Sequence, residues 1–146
     1  MTIVPVEFAS PDYDQTVRLR FDVLREPLGL DFTVADLEEE YRSHHLAGFD
    51  ADFQLLACLV LHPLGESAPG QIKMRQVAVA EAAQGKGMGT HLVRASEAYA
   101  RELGYTEMVL HARSVAVPFY LRLDYETVGE PFVEVSIEHY RMRKVL

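Results

Sequence analysis

The sequence predicts a mixed α/β domain, a mostly antiparallel sheet of about seven strands with helices on both faces. Three observations predict it. Short apolar segments of strand length alternate with stretches in which apolar residues recur every three or four positions. The period changes abruptly at a glycine-rich turn, QGKGMG. The chain closes on FVEVSIEHYRMRK, whose alternation marks antiparallel strands. The predicted order is β-α-α-β-β-β-α-β-α-β-β. Its length of 146 residues suits one domain, 1–146, with no internal repeat or dividing linker.

Each element has its own warrant. IVPVEF reads as a first strand, with Pro5 suited to a sheet edge. From Asp12 to Leu28, the residues Val17, Phe21, Leu24 and Leu28 form a helical stripe that Pro27 and Gly29 end. A shorter acidic helix follows around Val34–Tyr41. HHLAGFD and FQLLACLVLHP are strands joined by a turn near Asp50–Asp52. The second is apolar almost throughout, as a strand covered on both faces should be. After the loop PLGESAPG comes the strand QIKMRQVAVA. Met88, Leu92, Ala95, Tyr99 and Leu103 then form a helical stripe that Gly104 caps. TEMVLHA is a strand, and Ser114 to Leu123 a short helix that tolerates Pro118 in its first turn. YETVG and the final alternating segment are strands, with a turn expected at Glu130–Pro131.

Composition narrows the function. The net charge of -8 disfavours nucleic acid as a partner, which needs a basic face. The balance is uneven: residues 1–70 hold four Arg and thirteen Asp or Glu, whereas residues 71–146 hold ten Lys or Arg and nine acids. No apolar run reaches the length of about 20 residues that spans a bilayer, and the first residues lack a secretory signal's basic start. Cys58, the only cysteine, sits in LLACLVL and reads as a buried, inert thiol. Together these features predict a cytoplasmic protein with no membrane partner, no disulfide and no metal centre.

The chemistry lies in VAVAEAAQGKGMGTHLV, where a strand ends and a glycine-rich turn opens into an amphipathic helix. A helix start exposes unpaired N–H groups and the positive end of the dipole, so it receives anions. Gly85, Gly87 and Gly89 let the backbone approach a ligand, Gln84 can bond from the side, and Lys86 adds charge. The segment is built to hold phosphate. It is neither a P-loop, since Lys86 precedes Gly87, nor a dinucleotide fingerprint, since no glycine fills the final place.

The spacing Gln84-x-x-Gly87-x-Gly89, after a strand reading QVAVA, resembles the pyrophosphate loop of the GNAT superfamily of CoA-dependent N-acetyltransferases. Phe119-Tyr120-Leu-Arg-Leu-Asp-Tyr125 resembles that family's second signature, and the element order matches from Ile3 to about Arg143. The resemblance implies that acetyl-CoA is the cosubstrate and enters a gap between splayed fourth and fifth strands. Its pantetheine arm would pair with Val77, Ala78 and Val79, and its pyrophosphate would lie on Gln84, Gly85, Lys86, Gly87, Met88, Gly89 and Thr90. Two positions depart from the family pattern. Asp124 stands where glycine is usual, and Arg113 where an asparagine often touches the cofactor.

The resemblance also implies direct attack of a primary amine on the thioester. An amine near pKa 10.4 must lose a proton, and the departing thiolate must gain one. Tyr120 is the expected acid, and a main-chain N–H near Val79 the expected oxyanion donor. The base is left open among His111, His139, Glu126, Glu134 and water. Adjacent His44 and His45 should point to opposite faces of their strand, and His62 and His91 to solvent. The run Asp36-Leu37-Glu38-Glu39-Glu40 reads either as a solvated helix face or, with the acidic first half, as a sign of a small cationic acceptor. The C-terminal strands offer a surface for a homodimer. The alternative to an enzyme is a catalytically silent CoA-binding sensor or accessory subunit; a nucleotide-binding module is a further rival.

Overall fold

The computed structural model describes residues 1–146. Its elements follow the predicted order: β1 Thr2–Val6, α1 Pro11–Arg20, α2 Val34–Glu38, β2 His44–Phe49, β3 Leu55–Pro63, β4 Gln71–Val79, α3 Met88–Glu102, β5 Glu107–Arg113, α4 Val117–Leu121, β6 Glu126–Glu134 and β7 Ile137–Val145. The seven strands form one sheet in the order β1-β2-β3-β4-β5-β7-β6. Only β4 and β5 run parallel.

Local chemistry explains where the elements begin and end. Ser10 caps α1 by accepting the Tyr13 amide, and Pro11 occupies the first turn, where its missing N–H costs nothing. Thr33 and Asp36 form a capping box on α2. Asp50 turns β2 into β3 by accepting the amides of Asp52 and Gln54. Pro118 falls in the first turn of α4, as required. Asp124 takes the left-handed conformation with φ 70°, so the turn into β6 survives without glycine.

The sheet is packed on both faces. One face carries Leu59, Leu61, Ile72, Met74, Met108, Leu110 and Met142 against Leu92 and Val93 of α3, the main core. The other places Ala47, Cys58 and Ala78 under Leu19, Val23 and Leu24. Cys58 is buried there, its Sγ 3.8 Å from the Thr16 carbonyl, and burial pushes its thiol up to about 12. His44 packs on Tyr99 of α3 and His45 on Tyr13 of α1, so the pair does face opposite ways.

Four expectations are corrected. The Asp12–Leu28 helix is regular only to Arg20; a π turn spans Phe21–Arg25 and a 3₁₀ turn Glu26–Leu28. The buried face of α1 is Tyr13, Thr16 and Arg20, not the apolar stripe beginning at Val17. Here a buried polar network overrides the apolar periodicity. The last hairpin turns at Val135–Ser136, both with positive φ, and not at Glu130–Pro131. β6 lies at the sheet edge, so Pro131 costs no ladder bond that the interior would need, and a bulge between Val128 and Phe132 absorbs it. His62 is half-buried rather than solvated, with its Nδ1 2.9 Å from the Ser43 hydroxyl.

Candidate active site

The sheet opens in its middle. β4 and β5 pair only from Gln71–Glu107 to Met74–Leu110, and beyond that point they separate. Two causes are visible. β4 must leave room for Tyr120 and Ala116, which line the gap between the strands. It also carries a bulge: Cys58 opposes Ala78 and Val60 opposes Arg75, so Gln76 and Val77 together face one residue of β3. Gln76 takes φ 51°, a conformation that needs outside support in a non-glycine residue.

That support is a buried network absent from the sequence reading. Arg20 is 0% exposed and donates to Gln76 Oε1 at 2.9 Å and to both oxygens of Glu40 at 2.8 Å. Tyr13 donates its hydroxyl to Glu40 at 2.6 Å, and the His45 imidazole lies 2.9 Å from the Glu40 carbonyl. Burial alone would raise the Glu40 carboxyl, but the Arg20 guanidinium holds it below the ordinary glutamate value. Glu40 therefore does not belong to a solvated acidic face. The signal in the sequence was Glu40 placed just before a strand, with Arg20 in place of an apolar residue on the inward face of α1.

On the cofactor side, Gly87 forms the N-cap of α3 with φ 79°, and Gly85 has φ 75°. Left-handed backbone at both points turns the chain so that the first helical amides, from Met88 to Thr90, face outward without intrahelical partners. Gln84 donates its side-chain amide to the Val79 carbonyl at 2.9 Å, tying the turn to the end of β4. The stretch from Arg75 to Val79 lacks a partner strand on its β5 side, an open edge for an extended ligand.

A cleft of about 430 Å³ runs through the gap and across the open face. Tyr120 lines it at 8% exposure, wedged edge-on between Phe119 and Tyr125. Burial pushes its phenol up to about 12, so it stays protonated at neutral pH. At the other end stands Glu134, whose oxygens lie 3.4 Å from His111 Nδ1 and 3.6 Å from His139 Nε2. His139 Nδ1 is 2.8 Å from the Ile137 carbonyl, so Nδ1 carries a proton that it donates there, and Nε2 faces Glu134. Burial lowers His111, and Lys73 Nζ lies 3.3 Å from its Nδ1. Three of the four side chains considered as a base thus converge on one cleft. Glu126 does not: it lies at the far end of β6, 3.8 Å from Arg143, and does not line the cleft.

The expected cationic acceptor finds no support in this lining. Its charged side chains are Arg25, Lys73, Arg75 and Arg113 against the single carboxylate Glu134. Of the acidic run, Asp36 is committed to the helix cap and Glu40 to Arg20; none of the run lines the cleft.

The sequence profile of the acetyltransferase (GNAT) domain matches residues 64–146, and the chain belongs to that family. N-acetyltransferase 8B of Rattus norvegicus is 29% identical over 107 residues, which cover 68% of this chain and 48% of the rat protein. The chain therefore spans about half the length of that relative. An acyl-CoA N-acyltransferase structure from Pseudomonas aeruginosa superposes with a TM-score of 0.83 at 25% identity, covering 98% of both chains. A GNAT family acetyltransferase from Elizabethkingia anophelis, solved with acetyl-CoA bound, superposes with a TM-score of 0.71 at 19% identity, covering 99% of this chain and 97% of that one. The latter likeness is one of fold. No helix of this chain is long and apolar enough to cross a membrane.

Proposed function

We propose that this domain transfers an acetyl group from acetyl-CoA to a primary amine of a small acceptor. The observation that carries the reading is the cleft, which brings an open β4 edge together with a buried phenol and a carboxylate–imidazole cluster. In this reading the pyrophosphate lies on the turn from Gly85 to Thr90. Lys86 supplies charge, and the pantetheine arm pairs with Val77, Ala78 and Val79. The thioester then sits beside Tyr120.

The reaction follows from what remains in the cleft. The acceptor enters from the Glu134 end, and Glu134, backed by His139 and His111, takes the ammonium proton directly or through one water. The neutral amine attacks the thioester carbonyl, and the oxyanion is met by a main-chain N–H near Val79. As the C–S bond breaks, Tyr120 gives its proton to the sulfur, the attacking nitrogen loses its second proton to water to leave a neutral amide, and Tyr120 recovers a proton from solvent. A phenol raised to about 12 is a weaker acid than a free thiol, so the transfer relies on the same burial raising the proton affinity of the departing thiolate.

The test is release of free CoA thiol from acetyl-CoA and pooled amines near pH 8, with Tyr120→Phe beside the wild type. Amine-dependent release that falls sharply in the variant upholds the reading. Release undiminished in Tyr120→Phe removes the acid, whereas acetyl-CoA binding with no release from any pool favours a silent sensor.

A further inference from the structure

Building on the acetyltransferase reading, we infer that the acceptor is an amine that also carries an anionic group, of the carboxylate or phosphate class, held by Arg25, Lys73 and Arg75. The first support is how the charges are used. Cations taken out of water in this chain are matched elsewhere: Arg20 by Glu40, Lys144 by Glu97 and Arg143 by Glu107. Arg25, Lys73 and Arg75, like Arg113, take part in no ion pair, yet all four line the cleft. The chain has 22 acidic residues against 14 basic ones, so leaving these cations without carboxylates in a concave site is not for want of acids.

Their surroundings strengthen the attraction for an anion. Arg25 is laid over the Phe32 ring at 4.6 Å, and Leu28 and Leu30 form the wall beside it. Apolar walls exclude water and magnify each charge. Lys73 is half-buried, and burial together with the nearby Arg75 and Arg141 disfavours its charged form, with only Glu134 opposing them. An anion seated there relieves that repulsion.

The geometry accommodates both ends of one small molecule. Lys73 Nζ and Glu134 Oε1 approach the same imidazole nitrogen of His111, at 3.3 and 3.4 Å. An ammonium at Glu134 and an anion at Lys73 are then separated by the span of a short amino acid or amino phosphate. CoA's own phosphates do not explain these cations. The glycine turn follows the C-terminal end of β4, whereas Lys73 and Arg75 precede its bulge.

The experiment uses four acceptor pools: amino carboxylates, amino phosphates, the amides matching the carboxylates, and diamines. Each is assayed for thiol release and, with CoA present, for calorimetric binding, in the wild type and Arg75→Glu. Arg75 is exposed, so the substitution leaves the core intact. The expected result is a preference of at least about tenfold for one anionic pool over its neutral counterpart. Arg75→Glu should weaken that preferred acceptor by about 10- to 100-fold, with acetyl-CoA affinity unchanged. The carboxylate and phosphate arms tell the two anions apart. Preference for amides or diamines, no calorimetric binding by either anionic pool, or loss of acetyl-CoA affinity in Arg75→Glu would each overturn the inference. Arg75-dependent binding of an anionic amine without thiol release from any pool would instead overturn the transferase reading.

Discussion

Removing the Glu40 carboxylate tests whether the buried network braces the active site. In Glu40→Ala the Arg20 guanidinium, fully enclosed, keeps only the Gln76 amide oxygen as a partner, and the Tyr13 hydroxyl loses its acceptor. Breaking a buried pair on one side costs about 3–5 kcal/mol, and a buried hydroxyl left unpaired about 1–3 kcal/mol. The two losses share one carboxylate and do not add, so about 4 kcal/mol is expected. For a chain of this size that lowers Tm by roughly 10–15 °C. Urea and thermal unfolding measure it directly. A double variant, Arg20→Met with Glu40→Leu, removes both charges and should recover most of the loss, because the desolvation of the guanidinium disappears with it. It should not recover turnover, since Gln76 has lost the donor that holds its left-handed backbone. A loss under about 1 kcal/mol in Glu40→Ala would mean that Arg20 reaches water and braces nothing.

The other predictions are shorter. Tyr120→Phe should lower kcat about 100-fold with little change in the KM for acetyl-CoA, because the phenol acts on the leaving sulfur; steady-state kinetics read both. Glu134→Gln should cut kcat/KM for the amine by about 100-fold and leave acetyl-CoA binding by calorimetry intact. Gly87→Ala meets no atom within 4 Å, so its cost is the φ of 79° alone, about 1 kcal/mol in urea unfolding, with weaker CoA binding. Burial holds His44, His45, His62 and His111 below the ordinary histidine value of 6.5, so the unfolded chain binds more protons than the folded one just below that pH. Stability should therefore be full above pH 6.5 and decline as pH falls; a rise in Tm between pH 7 and 5 would contradict this.

What could be read from the sequence was whatever local chemistry decides. The glycine turn, the Pro118 helix start and the left-handed Asp124 each depend on a few neighbouring residues, and each stands where expected. Tyr120 was singled out by the family resemblance of the segment Phe119 to Tyr125, not by local chemistry. The missed features depend on partners far away in the chain. Arg20, Glu40 and Gln76 meet only because α1, the segment before β2 and the β4 bulge converge, and an acidic run carries no mark of which carboxylate turns inward. The hairpin turn was misplaced because Pro131 is a strong breaker unless the strand is an edge, and edge position is a property of the whole sheet.

The two buried ionic networks stand on opposite faces of the sheet, and this bears on how the gap between β4 and β5 stays open. On one face Glu40 and Arg20 fix the β4 bulge. On the other, Glu97 of α3 accepts from the Tyr125 hydroxyl at 2.8 Å and from Lys144 of β7 at 3.0 Å. That second network ties α3 to the residue just before β6 and to the strand beside β5. A parallel pair that separates after four residues leaves unpaired backbone along a strand edge, which would otherwise tend to close or to recruit another strand. Apolar contacts are non-directional and would tolerate such closure. Ionic groups with fixed partners do not, because sliding β4 towards β5 strands a guanidinium or a carboxylate away from water. The charges are therefore best understood as holding a gap of fixed width between β4 and β5.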